Sequence, residues 1–116
     1  MKVSFEGVNE QVLSFKSAST TDGALVGKPV KMSANLTVAG CSANDVFVGF
    51  GIHDEDGFAN VMTHGYVECA YTDTAPSVGY GILVASTAGK VKGALSGKEY
   101  LIIKVDTTNG VVGFML

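Results

Sequence analysis

The densest group of polar side chains in the sequence is the run His53-Asp54-Glu55-Asp56, with His64 a few positions later. Histidine and carboxylate side chains bind transition metals and act as general acids and bases. A metal site or a catalytic pair is therefore the first chemistry to test against the spacing of these residues.

The spacing of this group argues against both a metal site and a catalytic pair. The segment 54–57, Asp-Glu-Asp-Gly, is typical of a hairpin turn, because its glycine adopts positive φ without strain. That turn would pair His53 with Phe58 and leave His64 roughly 20 Å away along the returning strand, at ~3.3 Å per residue. The aspartates also resemble the start of a calcium loop, but no acidic residue stands at its twelfth position. We expect a solvent-exposed turn that binds no metal.

The two cysteines, Cys41 and Cys69, are predicted to be free thiols without a catalytic role. They form no Cys-x-x-Cys motif and no Cys/His cluster. Cys69 alternates with Val67 and Tyr71, as expected of a small apolar core residue, and Cys41 lies in a loop without a neighbouring histidine. The sequence also lacks nucleotide-binding, serine-hydrolase and zinc-protease motifs. These observations predict a protein that is not an enzyme and uses no cofactor.

The elements that would position any site are predicted to be β-strands. Glycine recurs every few residues, and the longer segments between glycines are rich in Val, Thr, Ile, Phe and Tyr. The segment 9–18 fits both helical and strand spacing, and we favour a strand. The predicted fold class is all-β, a small β-barrel or β-sandwich of roughly eight to ten short antiparallel strands.

Period-two alternation predicts which side chains face the core. Between positions 46 and 53 one face is apolar: Val46, Val48, Phe50 and Ile52. Gly49 and Gly51 on the other face indicate either the close approach of another backbone or a bend of a small barrel. The segment 58–71 is interpreted as one returning strand with a bulge at Gly65. In the last hairpin the predicted core residues are Leu101, Ile103 and Val105.

The two hairpins resemble each other enough to suggest an internal two-fold pseudo-repeat. A shift of 53 residues superposes the core residues of the first hairpin on those of the second, with Phe50 on Ile103. The same shift places Gly57 on Gly110 and the pair 61–62 on 114–115. Any two hairpins with glycine turns share this much, so the pattern leaves a true duplication open, but it favours two similar halves.

Amino-acid composition limits the classes of partner. Hydrophobic residues make up 47% of the 116 residues and charged residues only 16%, with a net charge of −3. All eight basic residues are lysine, so the guanidinium groups that bind bases and phosphates at two points are missing. No apolar stretch is long enough to span a bilayer. We expect no nucleic acid and no membrane partner, and one β domain over 1–116, with an N-terminal arm and first strand in 1–20 and a β core in 24–116.

Both ends of the chain suggest contacts with other proteins. The C-terminal run 111–116 is apolar on both faces, like a strand that lies between layers or meets another subunit. The candidate residues for subunit contact or core closure are Val112, Phe114 and Leu116. An extended N-terminal arm is predicted to add a strand to the sheet edge of a partner. Its candidate contact residues are Val3, Phe5 and Val8. We also expect a homo-oligomer, with a trimer as the favoured state.

Several segments resemble the capsid decoration, or cement, proteins of tailed bacteriophages and prophages. The resemblance runs from Gly27 to the C terminus and rests on turn glycines and core valines in five segments: Gly27–Lys31, Ala43–Ile52, Gly65–Tyr71, Ala75–Tyr80 and Gly89–Val91. It implies a small β-rich structural protein, often trimeric, that clamps neighbouring major capsid subunits on the outside of a phage head. The implied partner is the major capsid protein, and the implied location is the virion surface, with the host cytoplasm before assembly.

A second hypothesis is a β-domain of a phage tail, baseplate or cell surface that binds carbohydrate or a host receptor. Exposed aromatic residues would then line a groove: Phe58, Tyr66, Tyr71 and Tyr80. The sequence contains no tryptophan, the usual residue for stacking on sugars, and this favours the decoration protein.

Overall fold

The structure is a computed structural model that describes residues 10–116. It contains ten strands: β1 (Gln11–Ser17), β2 (Pro29–Ala34), β3 (Thr37–Gly40), β4 (Gly49–Glu55), β5 (Phe58–His64), β6 (Tyr66–Ala70), β7 (Gly79–Ala85), β8 (Val91–Gly93), β9 (Lys98–Asp106) and β10 (Val111–Met115). Apart from a 3₁₀ turn at Thr87–Gly89, residues 10–116 contain no helix. The all-β prediction is confirmed. The predicted arm residues, Val3, Phe5 and Val8, lie outside the described residues.

The ten strands form two five-stranded units. Strands β1 to β5, the first unit, close into a barrel in the order β1-β3-β2-β4-β5. Its neighbouring strands run antiparallel, except β1 and β3, which run parallel. Strands β6 to β10, the second unit, form an antiparallel sheet in the order β6-β10-β9-β7-β8.

The two units have the same topology. Matching each strand of the second unit with the strand five positions earlier reproduces the neighbours of the first unit. The parallel contact recurs as well, as Ser17 with Val38 in the first unit and as the single bridge of Tyr71 with Val91 in the second. In each unit, the residue after Ser17 or Tyr71 donates its backbone N–H to the carbonyl of Val38 or Val91 at 2.9 Å.

The interiors of the two units are filled from equivalent positions. Four completely buried residues of the first unit each lie 53 residues before a completely buried residue of the second. In chain order they are Val30, Val38, Ala59 and Val61 in the first unit and Leu83, Val91, Val112 and Phe114 in the second. The shared strand order and interior positions show that the chain contains the internal repeat that the sequence suggested.

The turns of the equivalent hairpins β4–β5 and β9–β10 differ in length. The first turn consists of Asp56 and Gly57, whose φ angles of 55° and 82° are both positive, as a two-residue type I′ turn requires. The second spans 107–110. Because that turn is longer, equivalent residues of β4 and β9 are 51 residues apart, and the bulged residue Ile52 corresponds to Ile103. The predicted superposition of Phe50 on Ile103 is therefore wrong by two positions.

The predicted core face of positions 46–53 is wrong except at Phe50. Phe47 and Phe50 are buried, whereas Val46, Val48 and Ile52 are 41–48% exposed. The alternation fails because β4 begins only at Gly49 and is bulged at Ile52.

The predicted core face of β9 is wrong for a related reason. Tyr100 and Ile102 are buried, while Leu101 is 37% exposed and Ile103 and Val105 are half-buried. The ring of Tyr100 occupies the interior, so its neighbour Leu101 must face outward, and the bulge at Ile103 interrupts the period of two.

Gly65 separates the two units. Its φ of +134° lies in a region that favours glycine, and there the chain leaves β5 in the barrel and enters β6 in the second sheet. The interpretation of 58–71 as one bulged strand is therefore wrong, because these residues form two strands in two sheets.

The barrel is filled by a segment of its own unit, 23–28. Leu25 is 4% exposed and packs among the interior residues of the barrel. Gly27 N–H donates to Gly51 O on β4 at 2.7 Å. A methyl group at Gly51 would collide with the Leu25 carbonyl, and one at Gly49 with a backbone carbonyl of β5. Of the two sequence alternatives for these glycines, the structure shows the close approach of another backbone.

The second unit is filled by side chains from the first unit. Phe47, from the loop before β4, stacks on Tyr100 with ring centroids 5.1 Å apart and ring planes at 10°. Phe50 contacts Phe114 with centroids 5.9 Å apart. The interior cluster of the second unit thus contains residues of both units, whereas the cluster inside the barrel contains residues of the first unit alone.

Candidate functional site

The polar run at the β4–β5 hairpin is divided between two faces. His53 Nε2 and Glu55 Oε2 lie 3.0 Å apart in solvent. Asp54 faces the other way, is 4% exposed, and accepts a hydrogen bond from Leu25 N–H at 3.3 Å. The expectation of a solvent-exposed turn is wrong for Asp54, because the turn contains only the two residues that follow Glu55.

The two histidines lie on neighbouring strands without forming a site. His53 lies opposite Asn60, and not opposite Phe58 as predicted, because the turn is shorter than expected. His64 lies four residues beyond Asn60, roughly 13 Å at ~3.3 Å per residue, and opposite Gln11. Within the described part of the chain, no group of three or more His, Cys, Asp or Glu side chains is placed to hold a metal ion.

Both cysteines are free thiols with raised pKa values. Burial raises the pKa of Cys69 to about 11, and burial together with the nearby Asp45 carboxylate raises that of Cys41 to about 11. Cys69 Sγ also donates to Gly89 O at 3.5 Å. Because the thiolate is the reactive form, these thiols are weak nucleophiles near neutral pH. Cys69 is 8% exposed, which confirms its interpretation as a core residue.

The loop 41–48, which presents Phe47 to the second unit, is held at both sides. Asp45 Oδ2 accepts a hydrogen bond from Lys31 Nζ at 2.7 Å, and this contact lowers the pKa of Asp45. The backbone carbonyl of Asp45 accepts a hydrogen bond from Ala85 N–H of β7 at 2.9 Å. The loop therefore connects the two units through backbone as well as side-chain contacts.

A surface groove of about 430 Å³ lies between the β6–β7 and β8–β9 loops. Its lining is formed mostly by small and aliphatic residues, with Asp73 and Lys92 as the charged members. Leu95, at the groove, has a fully exposed side chain. No histidine or cysteine lines the groove, so it offers neither an imidazole base nor a thiol nucleophile.

The C-terminal candidates lie in the interior of the second unit. Val112 and Phe114 are completely buried, and Leu116 packs against the same cluster with partial exposure. Leu116 N–H also donates to Gly65 O at 2.8 Å. A substitution of Phe114 would therefore test folding and not contact between subunits.

A row of side chains crosses the outer face of the second unit. Tyr66 on β6, Met115 on β10, Leu101 on β9 and Tyr80 on β7 lie directly opposite one another. Tyr80 is 75% exposed and Leu101 37%. We name these four residues the apolar row. The sequence names Tyr66 and Tyr80 as exposed aromatic residues but predicts Leu101 in the core, so it does not predict the row; the inward position of Tyr100 is the signal that points to it.

The equivalent row of the first unit is partly covered. Val12, Met62 and Phe50 show the same cross-strand register, and Pro29 lies opposite Phe50. Pro29 does not correspond to Tyr80, however, because its neighbour Val30 corresponds to Leu83. Phe50 is 4% exposed and Pro29 is also buried. Phe50 is covered because its ring packs into the interior cluster of the second unit. Phe50 thus contributes to an internal interface, whereas its counterpart Leu101 is 37% exposed, and Val12 of the same row is 47% exposed.

Polar contacts border the apolar row at Tyr66. The Tyr66 hydroxyl donates to Glu68 Oε2 at 2.9 Å, and Lys104 Nζ lies 3.6 Å from the same oxygen. Burial and the Glu68 carboxylate raise the pKa of Tyr66 to about 12. A methyl group at Gly113 would collide with the Tyr66 hydroxyl, so this glycine makes room for the ring on the face of the sheet.

A second exposed apolar surface lies on the first unit. Leu36, in the β2–β3 turn, is 70% exposed, and Phe58, at the start of β5, is 60% exposed. Lys16 lies between them, since its N–H donates to Leu36 O at 2.7 Å and its register partner on β5 is Phe58. We name Leu36 and Phe58 the barrel-end patch.

Comparisons with known proteins give no family for this chain. Neither the scan against protein-family models nor the search of the curated proteins finds a match. Within residues 10–116, no helix has the length and apolar character needed to cross a membrane. The functional conclusion therefore depends on the chemistry of the surfaces described above.

Proposed function

We propose that this protein is a non-enzymatic capsid decoration protein, which binds the outside of a phage head and stabilises contacts between major capsid subunits. The observation that carries the proposal is a pair of exposed apolar surfaces, the apolar row on the second unit and the barrel-end patch on the first. A clamp needs two contact surfaces on one body, and exposed apolar side chains are a common feature of protein–protein contacts.

Rigidity between the two surfaces supports the same proposal. The units are joined by an aromatic cluster of Phe47, Phe50, Tyr100 and Phe114, whose contacting ring centroids lie 5.1–6.1 Å apart. Aromatic pairs at such distances add to the stability gained from burial. A clamp transmits force between its neighbours only when its contact surfaces keep their spacing.

The termini complete the proposed assembly. The N-terminal residues Val3, Phe5 and Val8 are proposed to contact the major capsid protein as an added strand. The proposed oligomer is a trimer on the virion surface. Of the C-terminal candidates, Leu116 keeps partial exposure for a subunit contact, whereas Val112 and Phe114 are buried within the chain.

Co-sedimentation with expanded heads of tailed phages, compared with binding to a glycan panel, tests this function. We expect saturable binding to heads. The double variant Leu36→Ser/Phe58→Ser should weaken binding by about tenfold or more, since central apolar contacts dominate interface energies. The matched control is Leu95→Ser, which removes an even more exposed apolar side chain outside both surfaces. Binding to glycans without binding to heads would contradict the proposal and favour a carbohydrate-binding tail or surface domain.

A further inference from the structure

The turn between β9 and β10 contains Asn109 followed by Gly110, the only asparagine–glycine pair in the sequence. Such pairs deamidate readily, because glycine has no side chain to shield its backbone nitrogen from the carboxamide that precedes it. Asn109 is exposed, and Gly110 O accepts a hydrogen bond from Tyr71 N–H at 3.0 Å. The pair therefore lies where the hairpin meets water and also contacts the end of β6.

The backbone nitrogen of Gly110 is available as a nucleophile. Among residues 10–116, no group accepts a hydrogen bond from Gly110 N–H. A Cβ atom added at Gly110 would find no atom within 4 Å other than those of its chain neighbours. The nitrogen can therefore react without the loss of a hydrogen bond or of a packing contact.

Asp106 holds the carboxamide of Asn109. Its Oδ2 accepts a hydrogen bond from Asn109 Nδ2 at 2.9 Å, and its Oδ1 accepts hydrogen bonds from the N–H groups of Thr108 and Asn109. The hydrogen bonds from the side chain and the backbone of Asn109 lower the pKa of Asp106, so its carboxylate is charged at neutral pH. A charged acceptor strengthens these bonds. Because the carboxamide must turn toward Gly110 N and release its own nitrogen, the contact with Asp106 opposes the reaction.

We propose that Asn109 is a site of spontaneous deamidation and that Asp106 slows the reaction by holding its carboxamide. Gly110 N loses its proton to water and attacks Asn109 Cγ, a C–N bond forms, and the carboxamide nitrogen takes up a proton and leaves as ammonia. Water then opens the succinimide ring at either of its two C–N bonds, adding OH to carbon and H to nitrogen, and gives aspartate or isoaspartate. The inference rests on the turn alone and does not depend on the capsid function.

Either product changes the hairpin. Aspartate places a second carboxylate beside Asp106, where the carboxamide of Asn109 donates a hydrogen bond, and two like charges so close repel each other. Isoaspartate adds a methylene group to the backbone between β9 and β10, whose paired residues Ile102 and Phe114 are buried in the second unit. Deamidation is therefore expected to destabilise the second unit.

Peptide mass mapping of the full-length protein, incubated in mildly alkaline buffer made with H₂¹⁸O, tests the reaction. The product gains mass by exchange of NH₂ for OH and carries the ¹⁸O of the water that opened the ring. We expect this gain at Asn109 and not at Asn35, an exposed turn asparagine followed by leucine. No gain at Asn109 while a free peptide of residues 104–113 deamidates completely, or an equally fast gain at Asn35, would overturn the proposal.

The role of Asp106 is tested with Asp106→Asn. This variant keeps a carbonyl oxygen for the backbone N–H groups of the turn but loses the second acceptor, which holds Asn109 Nδ2. We expect it to deamidate at Asn109 several-fold faster than the parent. Thr107→Ala is the matched control, since Thr107 lies in the same turn and takes no part in the hydrogen bonds to Asp106, and it should keep the parental rate. Equal rates in Asp106→Asn and the parent would overturn the restraint.

Two substitutions at Asn109 measure the effect of the product on stability. Asn109→Asp reproduces one product, and Asn109→Ser removes the carboxamide without adding a charge. We expect a lower urea midpoint for Asn109→Asp than for Asn109→Ser, with a difference that shrinks at high salt because salt screens exposed charges. Equal midpoints at low salt would overturn the predicted repulsion from Asp106.

Discussion

The two five-stranded units share a topology but differ in how their interiors are filled. The barrel is filled by its own Leu25, together with interior residues of the same unit. The interior of the second unit includes Phe47 and Phe50, which the first unit supplies. The core of the first unit therefore consists of its own residues, whereas the core of the second unit also needs residues of the first.

Separating the units should produce the largest effect. We expect the fragment 65–116 to remain unfolded alone, because it lacks Phe47 and Phe50 and because a chain of this size is marginally stable even with a complete core. The fragment 1–64 should keep β structure. Amide NMR spectra of each fragment and of the mixture measure this, and the mixture should regain dispersed signals from 65–116. A folded 65–116 beside an unfolded 1–64 would reverse the comparison.

Removing one filling side chain from each unit sharpens the comparison. Leu25→Ala should lower the free energy of unfolding by about 2–5 kcal/mol and Phe47→Ala by about 3–5 kcal/mol. Hydrogen exchange should rise first in β1 to β5 for Leu25→Ala, but in β7, β9 and β10 for Phe47→Ala, although Phe47 belongs to the first unit. Leu95→Ala is the exposed control, expected within about 0.5 kcal/mol of the parent. Exchange that rises in the same strands for both variants would show that the units are not filled separately.

The two units also differ at one buried polar position. Asp54 on β4 is a buried carboxylate, and its counterpart on β9 is Val105. Asp54→Ala removes the acceptor of Leu25 N–H and should cost about 1–3 kcal/mol, because that buried donor loses its side-chain partner. Glu55→Ala, one residue away in solvent, should change the free energy of unfolding by less than about 0.5 kcal/mol. Urea titrations of both variants measure the difference, and equal costs would show that the contact to Leu25 contributes little.

The smallest expected effect is an alkaline loss of stability that originates in the second unit. Burial raises the pKa of Cys69 from 9.0 to about 11. Between these values the unfolded thiol ionises while the folded one stays neutral, so stability is complete below pH 9 and declines as pH rises toward 11. Cys69→Ala should remove about 1 kcal/mol of this decline at pH 10, relative to pH 8. Urea midpoints at the two pH values measure it, and parallel declines in parent and variant would assign the effect to other groups.

Local signals in the sequence predicted the strands and the turn glycines. Gly57 and Gly110 have positive φ in hairpin turns, and Cys69 is a small core residue, as expected. The inward faces of β4 and β9 were not predictable from alternation, because the bulges at Ile52 and Ile103 break the period of two within each strand. A bulge leaves no residue signature of its own at these isoleucines.

Features that depend on distant parts of the chain could not be predicted. Asp54 is buried and accepts a hydrogen bond from the N–H of Leu25, which is 29 residues earlier in the sequence. The apolar row joins four strands, and its members become neighbours only through the order of the sheet. Tyr80 and Leu101, for example, meet through the register of β7 and β9.

The position of Gly65 also places the two ends of the described chain together. Leu116 N–H donates to Gly65 O at 2.8 Å, and Glu10 lies beside the same glycine. Both ends of the described chain, Glu10 and Leu116, therefore lie beside Gly65, where the two units join. A circular permutant that links Leu116 to Glu10 through a short glycine–serine bridge, and opens instead within the turn at 107–110, would keep all ten strands and carry its new ends on the far hairpin.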